Sequence, residues 1–393
     1  MSGFKNYFSH RLKSTAFRTL VITAVATAFA CAVIGTEVAS QANAMIGGEE
    51  HVGVSSSAEV LVWITVTLAV LFPILETYML KSSKELDVIL SLPVKRSSVA
   101  WAHYLSGLTG LIFTTASVFL FAGLLMLAVQ RNFYVSALIP MYVWLLLYSV
   151  IIYSIVIFLF SRGNTVGDGL VFTFFFIIAL FFMAGMIDDM IKSNEFLYRD
   201  YVHSLGIDGL PNYMLRDYFS FTGLISDTAD YYVELLEQRP VYSYFDARLN
   251  LPDTPYYDPV LANTPVSCFD LKTALGQIFY DARVYTKLDH TLSIPTLIIW
   301  ALSGAASAAA FILSFIGYRA ERAGDISDSF FGYRFIIPAA GLSAIVMNND
   351  DILTKTVIAT AMLIGYFIYR RSFRIKAEDI FTVVLGIILM MPV

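Results

Sequence analysis

A chain of 393 residues that is 57% hydrophobic and only 15% charged, with mean hydropathy +0.68, lies far from a soluble domain, which averages about 45–50% apolar and about 25% charged. Charge-free, mostly apolar runs such as 170–187 exclude a soluble fold and predict an all-α polytopic membrane protein. Two cysteines, Cys31 and Cys268, and five scattered histidines exclude a disulfide framework and a metal centre, and no nucleic-acid partner is expected.

Residues 1–15 place Phe4, Tyr7, Phe8 and Leu12 on one helical face, with Lys5, Arg11 and Lys13 as charges. That pattern reads as an amphipathic helix on the inner membrane surface, or as a plain basic tail. Lys13 and Arg18 before an apolar run, with Ala42-Asn43-Ala44 behind it, imitate a signal peptide. The run 16–36 is long enough to span and Ala44 lies well past it, so the segment reads as an uncleaved first helix. Five further spans are expected at 58–80, 99–128, 134–161, 166–187 and 293–318. Short apolar segments near 335–347, 353–369 and 380–393 read as tilted, re-entrant or interfacial additions.

Between the second and third spans lies 81–104, the longest polar interruption among the early apolar segments, with Lys81, Lys84, Lys95 and Arg96. Leu86, Ile89 and Leu90 fall at i, i+3 and i+4, one face of a short helix. Pro93 ends or bends that helix, and Ser97 and Ser98 can cap the next one. The turn is either a solvated loop or a charged surface helix that transmits force from a cytoplasmic partner. Starting from an inner N-terminus, the inner segments hold 16 Lys/Arg against two in the short outer loops, Arg131 and Lys355. This excess orients the chain with the turn inside.

The same orientation puts 188–292 outside. That region has 16 Asp/Glu against eight Lys/Arg, and twelve of the 23 tyrosines, too aromatic for disorder. Helices are predicted at 226–238 and 270–288, joined by a connector carrying Pro252, Pro255, Pro259 and Pro265. A small ordered outer domain is expected.

Within the spans, Glu76 is a candidate intramembrane polar site that needs a cation from a neighbouring helix. Its shallow depth favours a plainer pairing with Lys81 or water. Thr165 and Asp168 form a capping box at the start of the fifth span. Ser303, Gly304 and Ser307 mark a small-residue face in the sixth, for packing within the chain or a dimer seam, and Gly107 and Gly110 repeat the signal weakly in the third. The nearly charge-free span interiors and the lack of a visible inverted repeat argue against an ion-coupled carrier. No G-x-x-x-x-G-K-[ST] and no catalytic constellation occurs, so energy for transport would come from another polypeptide.

The segment Leu86-Asp87-Val88-Ile89-Leu90-Ser91-Leu92-Pro93-Val94-Lys95-Arg96 resembles the turn after the second span of ABC-2 type permeases, where it forms the coupling helix. Residues 1–15, Arg162-Gly163-Asn164 and the inner segment 319–334 resemble other parts of that family, the last in permeases of Gram-positive bacteria of the YtrC/YtrD kind. The resemblance implies a six-span permease core, here with a large insertion at 188–292 and a tail at 335–393. It implies a second permease, as homo- or heterodimer, and ATP-binding subunits that carry ATP and Mg, with no cofactor on this chain. Leu86, Ile89 and Leu90 would dock in the ATPase, with Pro93 shaping the turn and Glu85, Asp87, Lys95 and Arg96 at the rim. The cargo of such bacterial cell-membrane exporters is typically a peptide, an amphipathic drug or a lipid-like compound. The competing reading is a membrane-anchored ligand-binding or signal-relay protein acting through 188–292.

Overall fold

The computed structural model describes residues 2–46, 55–129, 137–193, 225, 293–317, 333–347, 352–370, 380–382 and 384. Among them the regular structure is entirely helical: α1 (Ser2–Ile46), α2 (Ser55–Thr77), α3 (Ser83–Leu90), α4 (Arg96–Val129), α5 (Leu138–Arg162), α6 (Val166–Ser193), α7 (Ser293–Ile316), α8 (Tyr333–Met347) and α9 (Ile352–Arg370). A 3-10 turn, Tyr78–Lys81, continues α2 towards α3.

Among the described residues, five helices are long and apolar enough to cross a membrane, over Phe4–Glu37, Ala58–Lys81, Arg96–Leu127, Leu138–Arg162 and Thr296–Ile316. Shorter apolar helical stretches are Val166–Phe176 within α6, Arg334–Ile345 and Leu353–Phe367. The region predicted as an outer domain lies outside the described residues except for the end of α6 and Ile225, as does 319–332, and the tail segment 380–393 is described only at 380–382 and 384.

Two expectations change here. Residues 1–15 are not a separate surface helix but the first turns of the 45-residue α1. No glycine or proline falls between Phe4 and Ile34 to break it, and the arginines of its early turns find partners in the protein interior. The helix after the polar turn begins at Arg96, so Ser97 and Ser98 lie inside its first turn and do not cap it. α3 ends at Leu90, three residues before Pro93.

The chain forms two compact units, one from 1–76, 98–154 and 222–294, the other from 77–97, 155–221 and 295–393. In the first, Phe72, Leu111 and Tyr153 are fully buried, and Gly110 presents bare backbone to the Phe72 ring, with an added Cβ only 2.7 Å from Phe72 Cε1. Phe17, Leu20, Val21, Val25 and Phe29 cover α1 with exposed apolar surface, as a bilayer-facing helix requires. In the second unit α8 packs on α6, with Phe176 and Phe335 ring centroids 5.1 Å apart. α8 and α9 close on Ile345, Ala359 and Met362, and Gly341 leaves room for the Met362 side chain. On α7, Thr296, Trp300, Gly304, Phe311 and Phe315 turn inward, Ser303 and Ser307 are half-buried, and Ala305, Ala306 and Ala309 are exposed.

Candidate functional site

Glu76 is 1% exposed, one residue before the end of α2. An isolated carboxylate there would carry a large desolvation penalty. It is held instead by two arginines of α1. Arg11 Nε donates to Oε1 at 2.8 Å, and Arg18 Nη2 donates to Oε2 at 2.7 Å. The same guanidiniums reach backbone: Arg18 Nη1 donates to the Leu75 carbonyl at 2.9 Å and Arg11 Nη2 to the Glu76 carbonyl at 3.3 Å. Those carbonyls lie in the last turn of α2, where four C=O groups lose their intrahelical partners and the dipole favours a cation. The arginines therefore neutralise a buried acid and cap a helix together.

His103 of α4 is fully buried beside them, with Nδ1 3.5 Å from Glu76 Oε1 and Nε2 in hydrogen-bond contact with the Tyr7 hydroxyl at 3.2 Å. Of the two readings of Glu76, the cation from a neighbouring helix is supplied by Arg11 and Arg18 of α1, in place of Lys81 or water, within a cluster from α1, α2 and α4. A periodic signal was available: Tyr7, Arg11, Thr15 and Arg18 stand at i, i+4, i+8 and i+11, a polar stripe along α1.

Next to this cluster the Tyr153 hydroxyl donates to the Tyr104 carbonyl at 2.9 Å, and Tyr104 and Ser154 share a hydroxyl–hydroxyl bond of 2.8 Å. Gly107 admits Tyr153. A Cβ at this position would collide with the Tyr153 hydroxyl and come 3.3 Å from Glu76 Cβ. The small-residue signal at Gly107 and Gly110 therefore marks close packing of α4 on α2, with α5 also meeting Gly107.

The second unit holds the polar turn. Lys81, 8% exposed, donates from Nζ to the Phe160 carbonyl at 2.7 Å and to the Gly163 carbonyl, and lies 5.0 Å from the Phe160 ring centroid. These acceptors form the carboxyl end of α5 and the turn after it. That turn is tight because Gly163 and Gly169 meet backbone to backbone. Thr165 then caps α6, its Oγ1 accepting from the Asp168 N–H at 3.0 Å, the forward half of the predicted capping box. At the other end of the polar turn, Arg96 Nη1 donates to the Ile316 carbonyl, the last residue of α7, at 3.0 Å.

α3 has one fully buried side chain, Leu86. Lys84, Glu85, Asp87 and Val88 are exposed, Val88 by 65%, while Ile89 and Leu90 are half-buried. Ser91, Leu92, Pro93 and Lys95 continue the exposed surface. Leu86 thus belongs to the interior of this chain, and the exposed face of α3 is centred on Val88. Arg96 is directed to α7, not left wholly for a rim contact. On α7, Gly304 is buried and Ser303 and Ser307 are half-buried, Ser303 Oγ donating to the Ile299 carbonyl at 2.8 Å.

Residues 52–225 match the family model described as ABC-2 family transporter protein. No curated protein and no solved structure matches the chain. The matched segment contains Glu76, α3 and the α5–α6 turn, but not the α1 arginines.

Proposed function

With the membrane domain of an ABC-2 family transporter protein over residues 52–225 as premise, we propose that this multi-pass chain is the permease subunit of an ATP-driven exporter. α3 is its coupling helix, docking on a separate ATP-binding subunit. The exposure of α3 is the observation that carries this reading. A short helix with Leu86 as its only fully buried side chain offers Lys84, Glu85, Asp87, Val88 and Leu92 outward. An apolar centre within a charged rim suits a protein interface. The docking residues of the sequence reading shift accordingly, from Leu86 to Val88, with Ile89 and Leu90 half-buried at the flank.

In this reading the N-terminus and α3 face the cytoplasm, as the Lys/Arg bias of the short loops requires, and 188–292 lies outside. Two permeases form the pathway, and binding and hydrolysis of ATP with Mg in the partner subunits shift it between two packings. The substrate class is an amphipathic compound, peptide or lipid.

Affinity purification from the native membrane tests the reading. A P-loop ATPase should copurify with the wild-type chain and be lost from Val88→Asp, which removes the apolar centre from an exposed position and leaves the fold intact. Persistence of the ATPase on Val88→Asp overturns the docking face. Absence of any ATPase from the wild type, with an extracellular protein captured through 188–292, overturns the transporter reading in favour of a signal relay.

A further inference from the structure

The segment Ser82–Lys95, which carries α3, is bracketed by two cations, and each is spent on the carboxyl end of a different membrane helix. Lys81 stands at the end of a spanning segment, where a lysine usually extends its amine to water. Here it turns inward, and it donates to Phe160 O and Gly163 O at the end of α5. Arg96 is the first residue of α4, where the helix dipole disfavours a cation. It reaches across to Ile316, the negative end of α7. Neither side chain follows its local preference, and both follow the same alternative.

We propose that Lys81 and Arg96 are positioning residues of the coupling step. They clamp the two ends of the α3 segment to α5 and α7, so that a displacement of α3 is delivered to the ends of those helices and not absorbed in a flexible loop. Leu86 fixes the middle of the same segment. This rests on the reading of α3 as the coupling helix, and it adds which helices receive the motion.

The test is peptide-resolved hydrogen exchange on the full chain in phosphatidylglycerol-containing nanodiscs, with its copurified ATPase. Lys81→Met should raise exchange across 83–90 and 158–163 by about threefold to tenfold, the worth of a helix-terminal cation. Arg96→Met, at an exposed contact, should raise it by about twofold to fivefold across 83–90 and 313–317, and leave 158–163 unchanged. Arg96→Lys should restore the wild-type pattern. Both methionine variants should still capture the ATPase, but ATP should no longer alter exchange at 158–163 in the first or at 313–317 in the second. A merely structural role would lower thermal stability and ATPase capture together, and would overturn the proposal. Unchanged exchange across 83–90 in both variants overturns the clamp whatever copurifies. Should Lys81→Met fail to insert, the exposed Arg96 contact decides alone. Absence of an ATPase from the wild type overturns the coupling reading, while the exchange pattern still decides the clamp.

Discussion

The two charged regions of this protein solve different problems with the same residue types. Around Glu76, a buried carboxylate is held by a buried arginine and a part-buried one, and their ion pairs point inward. Around α3, a lysine and an arginine take backbone carbonyls, and the acids Glu85 and Asp87 are left in the open. The first arrangement fixes three helices to one another. The second fixes only the ends of a segment and leaves its face free. The difference separates a charge that holds the fold from a charge that presents a surface, although composition alone describes both as polar residues near span ends.

That contrast predicts the order of mutational cost. Glu76→Ala should be the most damaging change, because it strands Arg11 and Arg18 without their counter-ion. Breaking a buried pair from one side costs about 3–5 kcal/mol. Loss of monodisperse protein, or a steep fall in melting temperature in detergent, is the expected result. Replacing the acid together with both arginines, as Arg11→Met, Arg18→Met and Glu76→Leu, should recover a large part of that loss. If Glu76→Ala is as stable as wild type, the cluster is not a structural latch.

Gly107→Ala should come next. The new Cβ collides with the Tyr153 hydroxyl, and overpacking of a close helix contact costs about 1–3 kcal/mol. Tyr153→Phe in the same chain removes the colliding oxygen and should restore part of the stability, although it gives up the bond to the Tyr104 carbonyl. A thermal-shift cycle over the four proteins measures the coupling. Additive losses would show that Gly107 and Tyr153 do not meet.

How much of this was legible in the sequence follows from the range of each interaction. Five of the six expected spans announced themselves through local composition, and the start of α6 through the three-residue spacing of Thr165 and Asp168. The partner of Glu76 did not, because Arg11 and Arg18 stand 65 and 58 residues away and local reading offered the nearer Lys81. Lys81 in turn spends its amine 79 residues downstream. Leu86 was placed on the apolar face of α3, yet periodicity does not say whether such a face meets its own chain or another. Long-range pairing of charges and the choice of what covers an apolar face are set by packing, which no local spacing encodes.

The smallest effect separates local from long-range determinants most cleanly. Thr165→Ala removes the oxygen that receives the Asp168 N–H and should cost about 0.5–2 kcal/mol, the usual worth of an N-cap. Thr165→Ser keeps the oxygen and should retain most of that stability. Because the cap belongs to the turn held tight by Gly163 and Gly169, its loss should also speed hydrogen exchange over the first turn of α6. The change should stay out of α1 and α4, which carry the Glu76 cluster in the other unit. A shift in melting temperature with exchange confined to 163–170 is the expected pattern. Exchange spreading through α1 and α4 would mean that the two charged regions are not independent, and that the contrast between latch and presented surface misdescribes the molecule.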